Sequence, residues 1–436
     1  MNETSSKNEI TSGIIWKQLL LFFFPILLGS FFQQLYNTID AVIVGRFVGK
    51  NALAAVAGSS GMVINLLVNF FTGLTAGASV IVSQFFGSGD RKKVDDSIHT
   101  IYAFSIIGSV IMTLIGITAA PALLRLMNTP EELMSDSILY LRIYFAGIFF
   151  VFIYNTGAGL LRALGDSRRP LYCLMICCVI NIVLDLLLIV GLGLGVAGAA
   201  IATVIGQILA AVIVGVKGFY KVPPLATARR YIRPIYVAGI PNILMNALCT
   251  IYIIALNLIL VSFSDDAVTV LGLYYKLQTF YLIPVMGLTT CIVPILSYNY
   301  AARSIGRCKE ILWRSVLVAV VCMGVGTLGF ELFPAPLLNI FADGEPAILS
   351  IGVHALRVIA ISFMPLALSL MIPTYFQAIG KGGPSIFLTV LRQIILLVPL
   401  AWVLSLGGLR YVWWAFPITE VITASAGLWL YKKYPM

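Results

Sequence analysis

Long apolar runs dominate the chain, broken at short intervals by glycine, proline and charged residues. A membrane-spanning helix needs about 20 mostly apolar residues. Segments of that kind fall at about 14–45, 53–85, 95–120, 134–163, 169–191, 196–217, 234–262, 267–299, 311–333, 347–379, 384–405 and 411–431. The pattern predicts an all-α integral membrane protein of twelve transmembrane helices. The polar opening Met1–Gly13 is followed by an apolar run with no small-residue cleavage site, which reads as a retained first helix.

The same pattern repeats. Leu161–Pro170 (LRALGDSRRP) and Phe376–Pro384 (FQAIGKGGP) align at an offset of about 215 residues. Leu141 and Arg142 match Leu356 and Arg357, Pro25 matches Pro241, and Gly73 and Ser83 match Gly287 and Ser297 at nearly the same offset. The repeat predicts two pseudo-symmetric six-helix bundles with a central cleft: an N-lobe over 1–218, a cytoplasmic linker over 219–233 and a C-lobe over 234–436. An even number of helices per half gives both halves one orientation, related by an axis along the membrane normal.

Composition fits this architecture. Sixty per cent of the 436 residues are hydrophobic, 11% are charged and the mean hydropathy is +1.00. A soluble domain carries roughly 25% charged residues. The net charge of +10 is dispersed over short loops, which reads as a topology signal and not as a nucleic-acid surface. Lysine and arginine favour cytoplasmic loops. With the N-terminus inside, twenty of the 28 basic residues fall on inner segments and four on outer loops. Both termini are then cytoplasmic, in a multi-pass protein of the cell membrane, with the lipid bilayer as its surroundings and a monomer as the expected unit. The seven cysteines lack zinc spacing and read as packing thiols.

Ionisable groups at membrane depth are costly, and their default reading is functional. Asp40 and Asp185 each lie roughly 9 Å from the outer end of their helices at 1.5 Å per residue, and Thr203 roughly 10 Å. Asn181 precedes Asp185 by one turn, while Tyr36 and Gln33 share the face of Asp40. Two carboxylates with amide and hydroxyl oxygens suit a hard cation such as Na⁺, or a shared proton. If the ion is Na⁺, Asp40, Asn181, Asp185 and Thr203 would be its ligands. The second half differs: Arg392 and Glu420 lie at similar depth and are expected to pair. Their role is left between packing and a part in the substrate cleft, as is that of Lys276, which can snorkel outward. Asn155 is polar at membrane depth and a further cleft candidate. Pro25, mid-helix, favours a kink and is a candidate hinge.

The stretches GLTAGASVIVSQFFGSGDRKKV, GLLRALGDSRRP and NIVLDLLLIVGLGLGVAGAAIATVIGQ resemble the multidrug and toxic compound extrusion (MATE) transporters, and the resemblance covers nearly the whole chain. It implies a V-shaped pair of six-helix bundles that exports cationic or amphipathic small molecules in exchange for Na⁺ or H⁺. The family's N-lobe cation site maps onto Asp40, Asn181, Asp185 and Thr203, with Tyr36 nearby, and its bending proline onto Pro25. Some members also use acids in helices 7 and 10. The corresponding stretches here, MNALCTIYII and ISFMPLALSLMIP, hold none, which concentrates coupling in the N-lobe. The expected function is secondary antiport by alternating access, with no cofactor beyond the coupling ion. The alternative is a lipid-linked oligosaccharide flippase, which would call for a basic cavity, or another exporter of the same superfamily. An enzyme is not expected, since no HExxH, Ser/His/Asp set or phosphate loop occurs.

Overall fold

The structure, a computed structural model, describes residues 13–127, 129–215, 225–342 and 345–434. Residues 219–224 of the expected linker lie outside the described residues, and 225–233 form the start of a helix. The described chain is helical throughout. Twelve long elements follow in order. They are α1 (Ile15–Phe47), α2 (Lys50–Ser88), α3 (Arg91–Leu126), α4 (Glu131–Ala163), α5 (Arg168–Gly191) and α6 (Gly195–Gly215), then α7 (Leu225–Val261), α8 (Asp265–Ala301), α9 (Ile305–Leu332), α10 (Pro346–Ala378), α11 (Gly382–Ser405) and α12 (Ala415–Lys433).

Ten described helices are long and apolar enough to cross a membrane, and α10 makes an eleventh if its two segments, bent by 52°, count as one span. The twelfth helix, α12, falls outside that set because Thr419, Glu420 and Thr423 interrupt its apolar run, and all three are buried. Buried polar residues on a spanning helix face protein, where partners can satisfy them.

The repeat recurs in local detail. Ser83 on α2 donates to the carbonyl of Ala163 at 3.3 Å, and Ser297 on α8 donates to that of Ala378 at 2.8 Å. The turns after α4 and α10 both close on a left-handed glycine, Gly165 (φ 93°) and Gly380 (φ 78°). The next amide in each turn reaches back to Leu161 or Phe376 at 2.8 Å, satisfying an orphan carbonyl at the helix end. The turns after α2 and α8 share this geometry, with Gly89 at φ 83° and Arg303 at φ 59°. Only a non-glycine residue is strained there, because its Cβ crowds the backbone.

The molecule divides into two compact units, Phe24–Gly239 and the residues up to Phe23 together with those from Ile240 onward. This grouping departs from the linear lobes read from the sequence. Each boundary falls one residue short of a proline of the repeat pair, Pro25 in α1 and Pro241 in α7. The cause is packing of first turns. The start of α7 places Tyr231 and Ile235 in a core with Leu74, Ala78, Ile98, Ile101 and Leu160 of the first half. No room exists for a Cβ on Gly77, which lies against the Ile235–Gly239 backbone. The start of α1 belongs with the second half: the Arg307 Nη2 donates to the Gly13 carbonyl at 2.8 Å, and the Arg314 guanidinium lies 5.2 Å from the Trp16 ring centroid.

Candidate cation site and its surroundings

Within the unit Phe24–Gly239, α4, α5 and α6 pack closely because α6 presents small residues. Gly198, Ala199, Ala202, Gly206 and Ala210 are buried on it. Helices in a bilayer associate through such close contacts, because lipid is as apolar as leucine. On the facing helix, Gly147 of α4 admits the methyls of Val204 where a side chain would collide with them. This packing sets the height of Thr203, whose hydroxyl donates to the Ala199 carbonyl at 3.0 Å.

The polar groups converge between α1, α5 and α6. Asp40 and Asp185 are buried, 9% and 0% exposed, and their carboxyls face one another. The Tyr36 hydroxyl lies beside that of Thr203. Asp40 Oδ1, both oxygens of Asp185 and both amide atoms of Asn181 are buried and have no hydrogen-bond partner. An unpaired buried polar atom costs roughly 1–3 kcal/mol, and charged groups cost more. The four oxygens among these five atoms make a ligand set that a cation would satisfy, while the Asn181 Nδ2 can only donate a hydrogen bond. Carboxylate, amide and hydroxyl oxygens are the chemistry hard cations take, and two apposed carboxyls can equally hold a proton between them.

A small cavity of about 30 Å³ adjoins this cluster, walled in part by Gln33, Tyr36, Asn181, Thr203 and Gln207. Gln207 was missed in the sequence, although it follows Thr203 by one turn and shares its face. Tyr140 and Tyr144 of α4 were also missed. They are buried, stacked with centroids 6.5 Å apart and close enough to Tyr36 to interact electrostatically with it. A tyrosine in an apolar helix carries no positional signal, because aromatic side chains pack helix interfaces equally well. Around the cluster Ile43, Val44, Ile189, Val196, Ala199 and Ala200 form a dry wall.

The other candidates lie elsewhere. Asn155 spends its Nδ2 on the Val151 carbonyl at 2.8 Å in its own helix. Lys276 is exposed, with its ammonium 5.7 Å from the Phe341 ring centroid. Arg392 and Glu420 come together in the second unit, Nε to Oε1 at 2.6 Å. Pro25 is half-buried within a continuous α1, at the unit boundary.

The MatE family profile matches this chain twice, over residues 25–187 and 241–403. The chain belongs to the MatE family. The two matches start at Pro25 and Pro241, where the compact units divide. Among MatE relatives, the multidrug export protein MepA of Staphylococcus saprophyticus is 26% identical over 427 residues, covering 95% of this chain and 93% of that protein. A second relative, named "Probable multidrug resistance protein YpnP", from Bacillus subtilis, is 33% identical over 299 residues, 67% of this chain and 66% of that one. The fold superposes on an outward-facing multidrug resistance MATE transporter with a TM-score of 0.89 at 25% identity, covering 98% and 97% of the two chains. A MATE structure in the bent conformation matches with a TM-score of 0.90 at 24% identity over the same shares.

Proposed function

We propose that this MatE protein is a cation-coupled exporter of cationic or amphipathic compounds, working by antiport against Na⁺ or H⁺ in the cell membrane. The observation that carries the reading is the apposed Asp40–Asp185 pair with its unpartnered oxygens beside Asn181. Two ionised carboxylates cannot sit together in an apolar bundle at low cost. Binding one cation or proton relieves both the repulsion and the desolvation. An ion moving inward down its gradient can therefore hold the N-terminal unit in one state, and ion release favours the other. Exchange becomes obligatory when ion and drug differ in affinity between the two states.

The ion contacts of this reading are Asp40, Asp185, Asn181 and Thr203, with Tyr36 holding Thr203 in place and Gln33 and Gln207 bordering the adjoining cavity. Pro25 removes one backbone hydrogen bond from the continuous α1, which lets the helix bend near where the units divide. The names of MepA and YpnP support a drug substrate, and the excess of basic residues on alternate loops supports cytoplasmic termini and a multi-pass placement. The test is ethidium efflux from proteoliposomes under an imposed sodium gradient or an imposed pH gradient. One gradient drives efflux in the native protein, and Asp40→Asn abolishes it. Efflux by Asp40→Asn at the native rate overturns the reading.

A further inference from the structure

A second cavity, of about 320 Å³, opens between α5 and α6 at the end of the unit Phe24–Gly239 away from the cation cluster. That volume falls at the lower end of ligand pockets. Tyr172, Cys173 and Ile176 of α5 form one wall, Ile213 and Val214 of α6 form the other, and Arg169 stands at the rim. Cys173 and Val214 are buried, whereas Tyr172, Ile176 and Ile213 are exposed. Exposed apolar side chains on a spanning helix meet lipid, which is as apolar as they are. The cleft is therefore entered from the bilayer.

Its polar end is the first turn of α5. Arg169 pairs through Nε with Asp166 Oδ2 at 2.8 Å, and its side chain is still 58% exposed. Asp166 Oδ1 accepts the Arg168 and Arg169 amides at 3.1 Å. Two arginines against one aspartate leave the rim net positive. The turn itself does not call for either arginine. Aligned on Pro170 and Pro384, their counterparts in the second half are Gly382 and Gly383, and that half closes the same turn on Gly380. An apolar cleft topped by an accessible guanidinium and an interfacial tyrosine matches the two parts of a phospholipid: a chain to bury and a phosphodiester to pair with arginine.

We propose that this cleft holds one acyl chain of an anionic glycerophospholipid, with the lipid phosphate paired to Arg169. The lipid belongs to the leaflet that meets the first turn of α5, the cytoplasmic one in the topology proposed above. Seated there, it bridges α5 and α6, the helices that carry Asn181, Asp185 and Thr203. Cys177, one turn on from Cys173, lines the small cavity beside the cation cluster, so the lipid steadies that wall from its inner side.

The test titrates the full-length protein, delipidated in detergent, with dioleoyl phosphatidylglycerol or dioleoyl phosphatidylcholine, which share their chains and differ in net charge. Native mass spectrometry gives the dissociation constant of the first bound lipid. The native protein prefers phosphatidylglycerol. Arg169→Gln lowers that preference about fivefold, the worth of one arginine beside anionic lipid. Lys432→Gln, the same loss of charge at the exposed end of α12, leaves it unchanged. Ile176→Trp fills the apolar wall and weakens both lipids in parallel. Glycerol phosphate, which lacks the chains, does not displace the lipid. Equal affinity for the two lipids overturns the proposal, and so does an equal drop in Lys432→Gln, the mark of non-specific attraction. Native binding by Ile176→Trp, or displacement by glycerol phosphate, puts the ligand outside the cleft and overturns it as well. Lipid binding is read without any ion gradient, so failure of gradient-driven ethidium efflux counts against the exporter reading alone.

Discussion

Gly147 offers a direct test of how packing positions the cation cluster. An alanine Cβ at this position of α4 would lie 2.5 Å and 2.6 Å from the two methyls of Val204 on α6, and 3.0 Å from its Cβ. Carbon atoms in good contact sit at about 3.5–4.0 Å. The helices must therefore part by about 1 Å, or Val204 must leave its rotamer. Overpacking of this kind costs roughly 1–3 kcal/mol. Val204→Ala removes both methyls and leaves only the Cβ approach at 3.0 Å. The double variant should therefore regain about 1 kcal/mol or more over the sum of the single changes. Thermal unfolding in detergent, followed by loss of the monodisperse chromatographic peak, measures this. A second readout separates packing from stability. Val204 follows Thr203 directly, so displacing α6 draws the Thr203 hydroxyl away from Tyr36. Gly147→Ala should weaken the dependence of efflux on the driving cation, and Val204→Ala should restore it. Strict additivity of the two substitutions in both assays would falsify the account of how α4 and α6 set the site.

Other outcomes follow from the same structure. Asp40→Asn and Asp185→Asn should each abolish gradient-driven efflux, and the double variant should be no worse than either, because the carboxyls act as one unit; independent partial losses would refute this. Arg303→Gly should stabilise the protein by about 1 kcal/mol, since glycine carries no penalty in the left-handed turn that Gly89 occupies in the first half; a lowered melting temperature counts against the strain. Glu420→Leu alone should cost about 3 kcal/mol by leaving the half-buried Arg392 guanidinium without its carboxylate, and Arg392→Met/Glu420→Leu should recover most of it in the same melting assay. Arg307→Ala should speed amide exchange in the first turns of α1, because Arg307 holds the Gly13 carbonyl at 2.8 Å and the Gln18 Oε1 at 3.3 Å.

Helix number and the repeat were legible because bilayer thickness imposes long apolar runs, and because glycine turns such as Gly165 and Gly380 mark equivalent places. The convergence of Asp40, Asn181, Asp185 and Thr203 was legible for a related reason. Charge at membrane depth is rare, and helical rise converts sequence distance into height. Tyr140, Tyr144 and Gln207 were not legible, since tyrosine and glutamine fit both packing and binding and only the helix-to-helix approach decides. The strained Arg303 could have been found by laying it over Gly89. The regrouping of α1 and α7 could not, because a linear pattern assigns a helix whole to one half and says nothing of which neighbour its first turn meets.

That regrouping bears on how the protein is made. Synthesis proceeds from the N-terminus, yet the core built on Leu74, Ile98 and Leu160 closes only with Tyr231 and Ile235, which emerge after all six helices of the first half. The opening turns of α1, in turn, wait for α8 and α9 before the Arg307 and Arg314 contacts can form. Cutting the chain between α6 and α7 would thus yield two fragments that each carry the other's closing piece. Such fragments would assemble together or not at all. The repeat thus runs along the sequence, while the compact units cut across it, each taking its closing turns from the other half.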